Sequence, residues 1–165
     1  MNDVSTDYMA ASRIIKRQHL SLSALRIHRM RITAELKDVF MSRLAIKSSE
    51  GRYLPYIIHD DEHIKAAVFG YQEAGFVMLV ATDKRVIFLD KKPLFVNQDE
   101  VTFDVVSGVK LNETIIGTTL KLHTRVKDYK LFTFNEDSAE HFMHYIETHC
   151  LEFNNVLRNT YDRPS

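Results

Sequence analysis

The densest run of chemistry-bearing side chains is His59-Asp60-Asp61-Glu62-His63, with two imidazoles and three carboxylates in five residues. On a helix the two histidines would share a face at i and i+4, a spacing that suits zinc. A zincin places its glutamate directly after the first histidine, however, and Asp60 holds that position here. Acids ahead of a first strand need no metal, so a solvated connector is expected. His141 and His144, beside Glu140 and Glu147, have an i, i+3 spacing that permits shared ligation, but they flank the apolar stripe of their helix and read as surface residues. Cys150 falls on that stripe, where a small buried thiol is expected, and no base stands at a fixed spacing to activate it. Five glycines scattered singly make no phosphate loop, and there is no serine elbow, paired-carboxylate signature or cysteine cluster. The residue types predict a protein that is not an enzyme and holds no cofactor and no metal.

The elements that must carry these residues are organised around residues 75–90, GFVMLVATDKRVIFLD. Two short apolar runs flank the polar break Thr82-Asp83-Lys84-Arg85, the pattern of a hairpin of two buried strands. Both strands are apolar on nearly every residue. A strand with one wet face should alternate, so something must cover both faces of this hairpin.

Before the hairpin, residues 1–50 are helical in pattern. Thr6 or Asp7 caps a first helix carrying Met9, Ala10, Ile14 and Ile15 and running to about Leu20; Ser21 or Ser23 caps a second that ends near Gly51. On the second, Leu25, Ile32, Val39 and Ile46 recur every seven residues beside Leu36, Phe40 and Leu44, a stripe that must be buried. Arg29 and Arg43 interrupt the seam and argue against a long coiled coil. Residues 51–63 form a connector in which Pro55 ends any approaching helix, and a strand follows from Ile64 to Tyr71.

After the hairpin come a turn at Lys91-Lys92-Pro93 and a short segment, Leu94-Phe95-Val96. Val101, Phe103 and Val105 alternate with polar residues, and Ser107-Gly108 marks a bend in that strand's continuation. A turn is expected at Asn112-Glu113. Leu120, Leu122 and Val126 then alternate with Lys121, His123 and Arg125, and a last strand sets Phe132 and Phe134 opposite Tyr129, Leu131 and Thr133. Asp137 with Glu140 is an acidic capping box for a closing helix, in which Ala139, Phe142, Met143, Ile146, Cys150, Phe153 and Leu157 follow a buried three-and-four spacing. Residues 159–165 form a polar tail.

The totals set bounds on function. Of 165 residues, 45% are hydrophobic and 27% charged, which fits one globular domain and excludes wholesale disorder. Lys plus Arg equals Asp plus Glu at 22 each, so no global field draws nucleic acid or an anionic membrane. A single cysteine and the lack of any signal-like or bilayer-length apolar run predict a soluble, cytoplasmic chain.

Seven strand candidates followed by one amphipathic helix is the order of a pleckstrin-homology (PH) fold. The wording around Ala81-Thr82-Asp83-Lys84-Arg85-Val86-Ile87-Phe88, with Lys91-Lys92-Pro93 after it, resembles the bacterial PH-like domain family over roughly residues 56–150. The resemblance implies a mainly β (α+β) fold: a PH-like seven-stranded antiparallel barrel of two orthogonal sheets capped by a C-terminal helix, with an N-terminal helical extension. The corresponding division is residues 1–50 for the extension and 51–160 for the PH-like domain, including a helix over 137–158. Domains that look like this bind lipids or peptides, or assemble with themselves. Phosphoinositide binders carry clustered bases between their first two strands; here Tyr71-Gln72-Glu73-Ala74-Gly75 has one acid and no base, which argues against specific phosphoinositide recognition.

The functional expectation is therefore a non-enzymatic PH-like interaction module for protein–protein contact by self-association, a homo-oligomer. Its candidate surface is the hairpin face bearing Val77, Leu79, Ile87 and Leu89, to be covered either by the N-terminal helices or by a second copy. The alternative is a peripheral membrane-surface module, in which Arg13, Lys16, Arg17, Arg26, Arg29 and Arg31, a run without an intervening acid, meet anionic lipid. The same helices lack interleaved aromatics for base stacking, which argues against nucleic acid.

Overall fold

The computed structural model describes residues 21–73 and 75–161. The expected helix over residues 6–20 and the polar tail from 162 lie outside them. Three short helices come first: α1 (Leu22–Asp38), α2 (Arg43–Lys47) and α3 (Ser49–Tyr53). Seven strands follow, β1 (Ile64–Gln72), β2 (Gly75–Thr82), β3 (Val86–Lys91), β4 (Val96–Val101), β5 (Val106–Thr114), β6 (Gly117–Thr124) and β7 (Tyr129–Thr133), and α4 (Glu136–Tyr161) closes the chain.

The seven antiparallel strands form one hydrogen-bonded sheet, in the order β4-β3-β2-β1-β7-β6-β5, rather than two separate sheets. It is open between β4 and β5. The nine-residue β1 serves both halves: it pairs along its length with β2 and joins β7 at one registered pair, Tyr71 with Phe132. At that junction the backbones nearly touch. A Cβ on Gly70 would run into the Phe132 carbonyl oxygen and come within 2.9 Å of Leu131 Cδ1.

Each face of the opening hairpin is buried against a different layer. Alternate residues point one way: Val77, Leu79 and Ala81 of β2 and Val86 and Phe88 of β3 pack with Phe142 and Ile146 of α4. Their neighbours Met78, Val80, Ile87 and Leu89 point the other way, onto Ile32, Leu36, Val39, Ala45 and Leu54 of the N-terminal helices and the connector. Full burial of each of these Val, Leu, Ile, Met and Phe side chains stabilises by about 1.5–3 kcal/mol. The continuous apolar pattern thus has a cause within the chain.

Serines position the helical layer. The hydroxyls of Ser21, Ser42 and Ser48 accept from the N–H groups of Ala24 (3.2 Å), Ala45 (3.2 Å) and Gly51 (3.1 Å), so each starts a helix. The single long second helix expected to Gly51 is broken at Phe40, whose φ is +64°. The Phe40 N–H donates to the Lys37 carbonyl and the Met41 N–H to the Leu36 carbonyl, a Schellman ending with phenylalanine where glycine is usual. The seven-residue stripe splits accordingly. Leu25, Ile32, Leu36 and Val39 are buried, whereas Phe40 and Leu44 are exposed. Gly51 lies inside α3 rather than ending a helix, where a Cβ would meet the Ala45 and Ile46 carbonyl oxygens.

The second half departs from expectation in four places. β4 is the polar run VNQDEV, and Phe103–Val105 is a 3-10 turn, not a strand. The β5–β6 turn sits at Ile115-Ile116 instead of Asn112-Glu113. Val126 is exposed beyond the end of β6, while Leu120 and Leu122 are buried as expected. The cap of α4 is Asn135, not Asp137: its Oδ1 accepts from the Ser138 N–H at 3.2 Å, and its Nδ2 donates to the Phe40 carbonyl at 2.8 Å. One side chain thereby joins the start of α4 to the end of α1.

Candidate interaction surface

The polar turn of the hairpin and the acidic connector, read separately in the sequence, are one network. Thr82 Oγ1 accepts from the Lys84 and Arg85 N–H groups, closing the turn, and donates to Glu62 Oε1 at 2.8 Å. Asp83 Oδ1 accepts from the His63 N–H. Lys84 pairs with Asp61. Arg85 donates through Nε and Nη2 to the two oxygens of Glu62 (2.8 and 2.9 Å), through Nη2 to the Ile57 carbonyl and through Nη1 to Glu100. The Glu62 side chain is only 1% exposed.

His59 and His63 therefore lie in a turn, not on one helix face. His63 Nδ1 lies 2.8 Å from Glu35 Oε1, and Glu62 is turned inward to Arg85. Of the other histidine pair, His141 Nε2 donates to the Lys65 carbonyl and His144 is exposed. Burial pushes the Cys150 thiol pKa up, away from a reactive thiolate.

Electrostatics follow from these contacts. Burial pushes the Glu62 carboxyl up, but the Arg85 guanidinium, the His59 N–H and the Thr82 hydroxyl outweigh it and hold the pKa below the usual glutamate value. Glu35 is likewise lowered against its own burial by the Ile64 N–H, His63 and Arg31. The His28 pKa is lowered by burial and by Arg31, against the pull of Asp60; its Nε2 lies 3.0 Å from the Ile58 carbonyl oxygen, and its Nδ1 lies 3.1 Å from both Arg31 Nη2 and Asp60 Oδ1. Because both glutamates have depressed pKa values in the folded state, their contribution to stability is complete above the ordinary glutamate value and is lost as pH falls through the depressed ones. The urea midpoint should therefore fall on acidification below about pH 4.5, and Glu62→Gln should flatten that slope.

Where β1, β2 and β7 end together, the chain leaves a groove of about 490 Å³. Phe69 stacks on Phe76 with ring centroids 4.9 Å apart, Tyr71 leans on Phe76 at 4.1 Å, and Phe134 meets Tyr71 edge-on at 6.3 Å. Leu44 of α2 and the first residues of α4, Glu136 and Asp137, complete the lining. Leu44 is 69% and Phe134 71% exposed, so the groove presents apolar surface to solvent. At its rim, carboxylates of Glu136, Glu140 and Glu113 lie within 4.8 Å of one another. Neither the groove nor this rim follows from periodicity. The available signal is that aromatic residues gather at the ends of three strands adjacent in the sheet.

The expected contact residues are distributed differently. Val77 and Leu79 face α4, Ile87 and Leu89 face the N-terminal helices, and all four are at most 1% exposed. They share no face and are covered by the chain itself, because β2 residues opposite Ile87 and Leu89 are Val80 and Met78. Among the bases, Arg26 and Arg29 are exposed on α1, Arg29 lying 5.3 Å from the Tyr56 ring centroid. Arg31 is turned inward, donating to Glu35 (2.6 Å) and to the Glu62 and His59 carbonyls. Arg13, Lys16 and Arg17 lie outside the described residues.

Among the described residues no helix is long and apolar enough to cross a membrane. The family model for the bacterial PH domain matches residues 58–148, more than half of the chain. A solved structure to which the chain is similar is that of a DUF1696 family protein with a pleckstrin-homology domain from Shewanella loihica PV-4. The two are 22% identical, over 49% of this chain and 76% of that one, with a TM-score of 0.35. No curated protein matches the chain.

Proposed function

The chain belongs to the bacterial PH domain family, whose folds are in general non-catalytic interaction modules, and from that premise we propose that it makes protein–protein contact by self-association through the aromatic groove between β1, β2 and β7. The observation that carries this reading is the exposed cluster of Leu44, Tyr71 and Phe134 beside half-buried Phe76, around a groove of about 490 Å³. Aromatic side chains concentrate binding energy at protein contacts, and a soluble chain that covers both faces of its hairpin has reason to leave such a cluster open only for a partner. The hairpin residues Val77, Leu79, Ile87 and Leu89 support the fold beneath it. The balanced charge and lone cysteine support a cytoplasmic setting.

Light scattering across a concentration series tests the reading. The wild-type mass should rise with concentration, and Phe134→Asp, exposed and outside both cores, should lower the association constant about tenfold or more while leaving the unfolding transition in place. A mass unchanged by Phe134→Asp would remove the groove from the contact.

A second reading has its own observation. The outward face of α1 carries Ile27 and Met30, 69% and 64% exposed, between Arg26, Arg29 and Lys37. That is the composition of a helix lying at an anionic membrane surface. It predicts flotation with anionic but not zwitterionic vesicles, weakened by salt and reduced by Arg26→Glu with Arg29→Glu. Flotation unaffected by that pair would exclude α1 as the contact.

A further inference from the structure

The groove is apolar at its floor and acidic at one rim. Glu136 and Asp137 line it, and Glu113, reaching over from the end of β5, adds a carboxylate from a separate element. Acids in the first turn of a helix are ordinary neighbours of its dipole. Glu113 has no such reason to stand there, and none of Glu113, Glu136 and Glu140 forms an ion pair with a described residue. A partner that is apolar along its middle and basic at its ends complements both features at once.

The chain holds such a segment. Arg13-Ile14-Ile15-Lys16-Arg17 sets two isoleucines between three bases with no acid among them. We infer that this segment of one copy seats in the groove of a second copy, with Ile14 and Ile15 on the aromatic floor and the bases toward the Glu113–Glu136–Glu140 rim. The inference rests on the self-association proposed above and names the part of the second copy that fills the site.

Chain length favours the second copy. The groove lies beyond the C-terminal end of α1, at Ser42 and Leu44, and the 17 residues of α1 span about 25 Å. The five steps from Arg17 to Leu22 cover at most about 18 Å fully extended. A chain's own Arg17 backbone therefore falls short of its own groove. Its Ile15 and Ile14, seven and eight steps from Leu22, span that distance only with the whole stretch fully extended, at most about 25–29 Å, whereas a neighbour's segment is under no such limit. Reciprocal exchange of the two segments gives a closed two-fold dimer with both grooves filled.

The test is sedimentation equilibrium on the full chain in three charge-reversal forms: Arg13→Glu/Lys16→Glu/Arg17→Glu, Glu136→Lys/Glu140→Lys, and the two sets combined. Each set alone should weaken association about tenfold or more, more steeply at low salt, and the combined chain should recover it. Circular dichroism confirms that each variant is folded. Association that survives either set, or that the combined chain fails to regain, would overturn the segment-in-groove inference and leave self-association standing. A wild-type chain that is monomeric at every concentration would overturn both.

Discussion

Arg85→Ala is expected to destabilise the chain by about 3–5 kcal/mol, the cost of removing one partner of a buried ion pair. The size follows from what remains. Glu62, 1% exposed, would keep only the Thr82 hydroxyl and the His59 N–H as donors, too few to hold an ionised carboxylate out of water. The Ile57 carbonyl and Glu100 would lose a partner as well. For a chain of this length the corresponding fall in melting temperature is about 10 °C or more. Removing both charges together, as Glu62→Met with Arg85→Met, should cost less than Arg85→Ala alone, because no orphaned charge remains. Thermal unfolding of the wild type, Glu62→Met, Arg85→Met and the double variant forms the double-mutant cycle. A double variant as unstable as the sum of its parts would mean that the two residues act independently.

Gly70→Ala separates two rules that point in opposite directions. Strand preference alone favours alanine over glycine by about 0.5–1 kcal/mol. The junction says otherwise. The added Cβ would fall on the Phe132 carbonyl oxygen and lie within 2.9 Å of that carbonyl's carbon, and both are backbone atoms that cannot rotate away. β1 would have to move from β7 at the one registered pair that joins the two halves of the sheet. A loss of about 3 kcal/mol is expected, seen as a lower denaturant midpoint and faster amide exchange in β7. A neutral or stabilising substitution would show that the two strands have room to part.

Much of this architecture is readable before any coordinates, because burial leaves a pattern in sequence. The hairpin's apolar residues on both faces required a layer on each side, and α4 on one side and α1 to α3 on the other supply them. Pattern also explains two errors. The seven-residue stripe runs straight through Phe40, where the helix stops, and no glycine marks the ending because a Schellman turn has been built around phenylalanine. In the second half, Val101, Phe103 and Val105 alternate as a strand does, yet the chain makes a 3-10 turn there to carry it from β4 to β5.

The candidate site was the least legible part, because it is made of contacts between segments far apart in the chain. Thr82-Asp83-Lys84-Arg85 is recognisable as a marker, but nothing in either sequence says that it grips residues 59–63. Those five residues resemble ligands only while their partners are unknown. In the same way Phe69, Tyr71, Phe76 and Phe134 read as four unconnected strand residues until β1, β2 and β7 are set side by side.

The covering of the hairpin's outer face has a consequence for how the protein fails. The family match begins at residue 58, after the helices that cover Met78, Val80, Ile87 and Leu89. The stretch matched to the family is thus smaller than what packs together here. Those helices are separate segments that rest on the sheet through their apolar faces and a few side-chain links, such as Asn135 to the Phe40 carbonyl and Glu35 to the Ile64 N–H, so they are the layer with least cooperativity of its own. When they detach, an intact sheet shows a dry aliphatic wall to the solvent. Heating or trimming the amino-terminal layer should then cause clumping of still β-structured protein before the sheet itself melts.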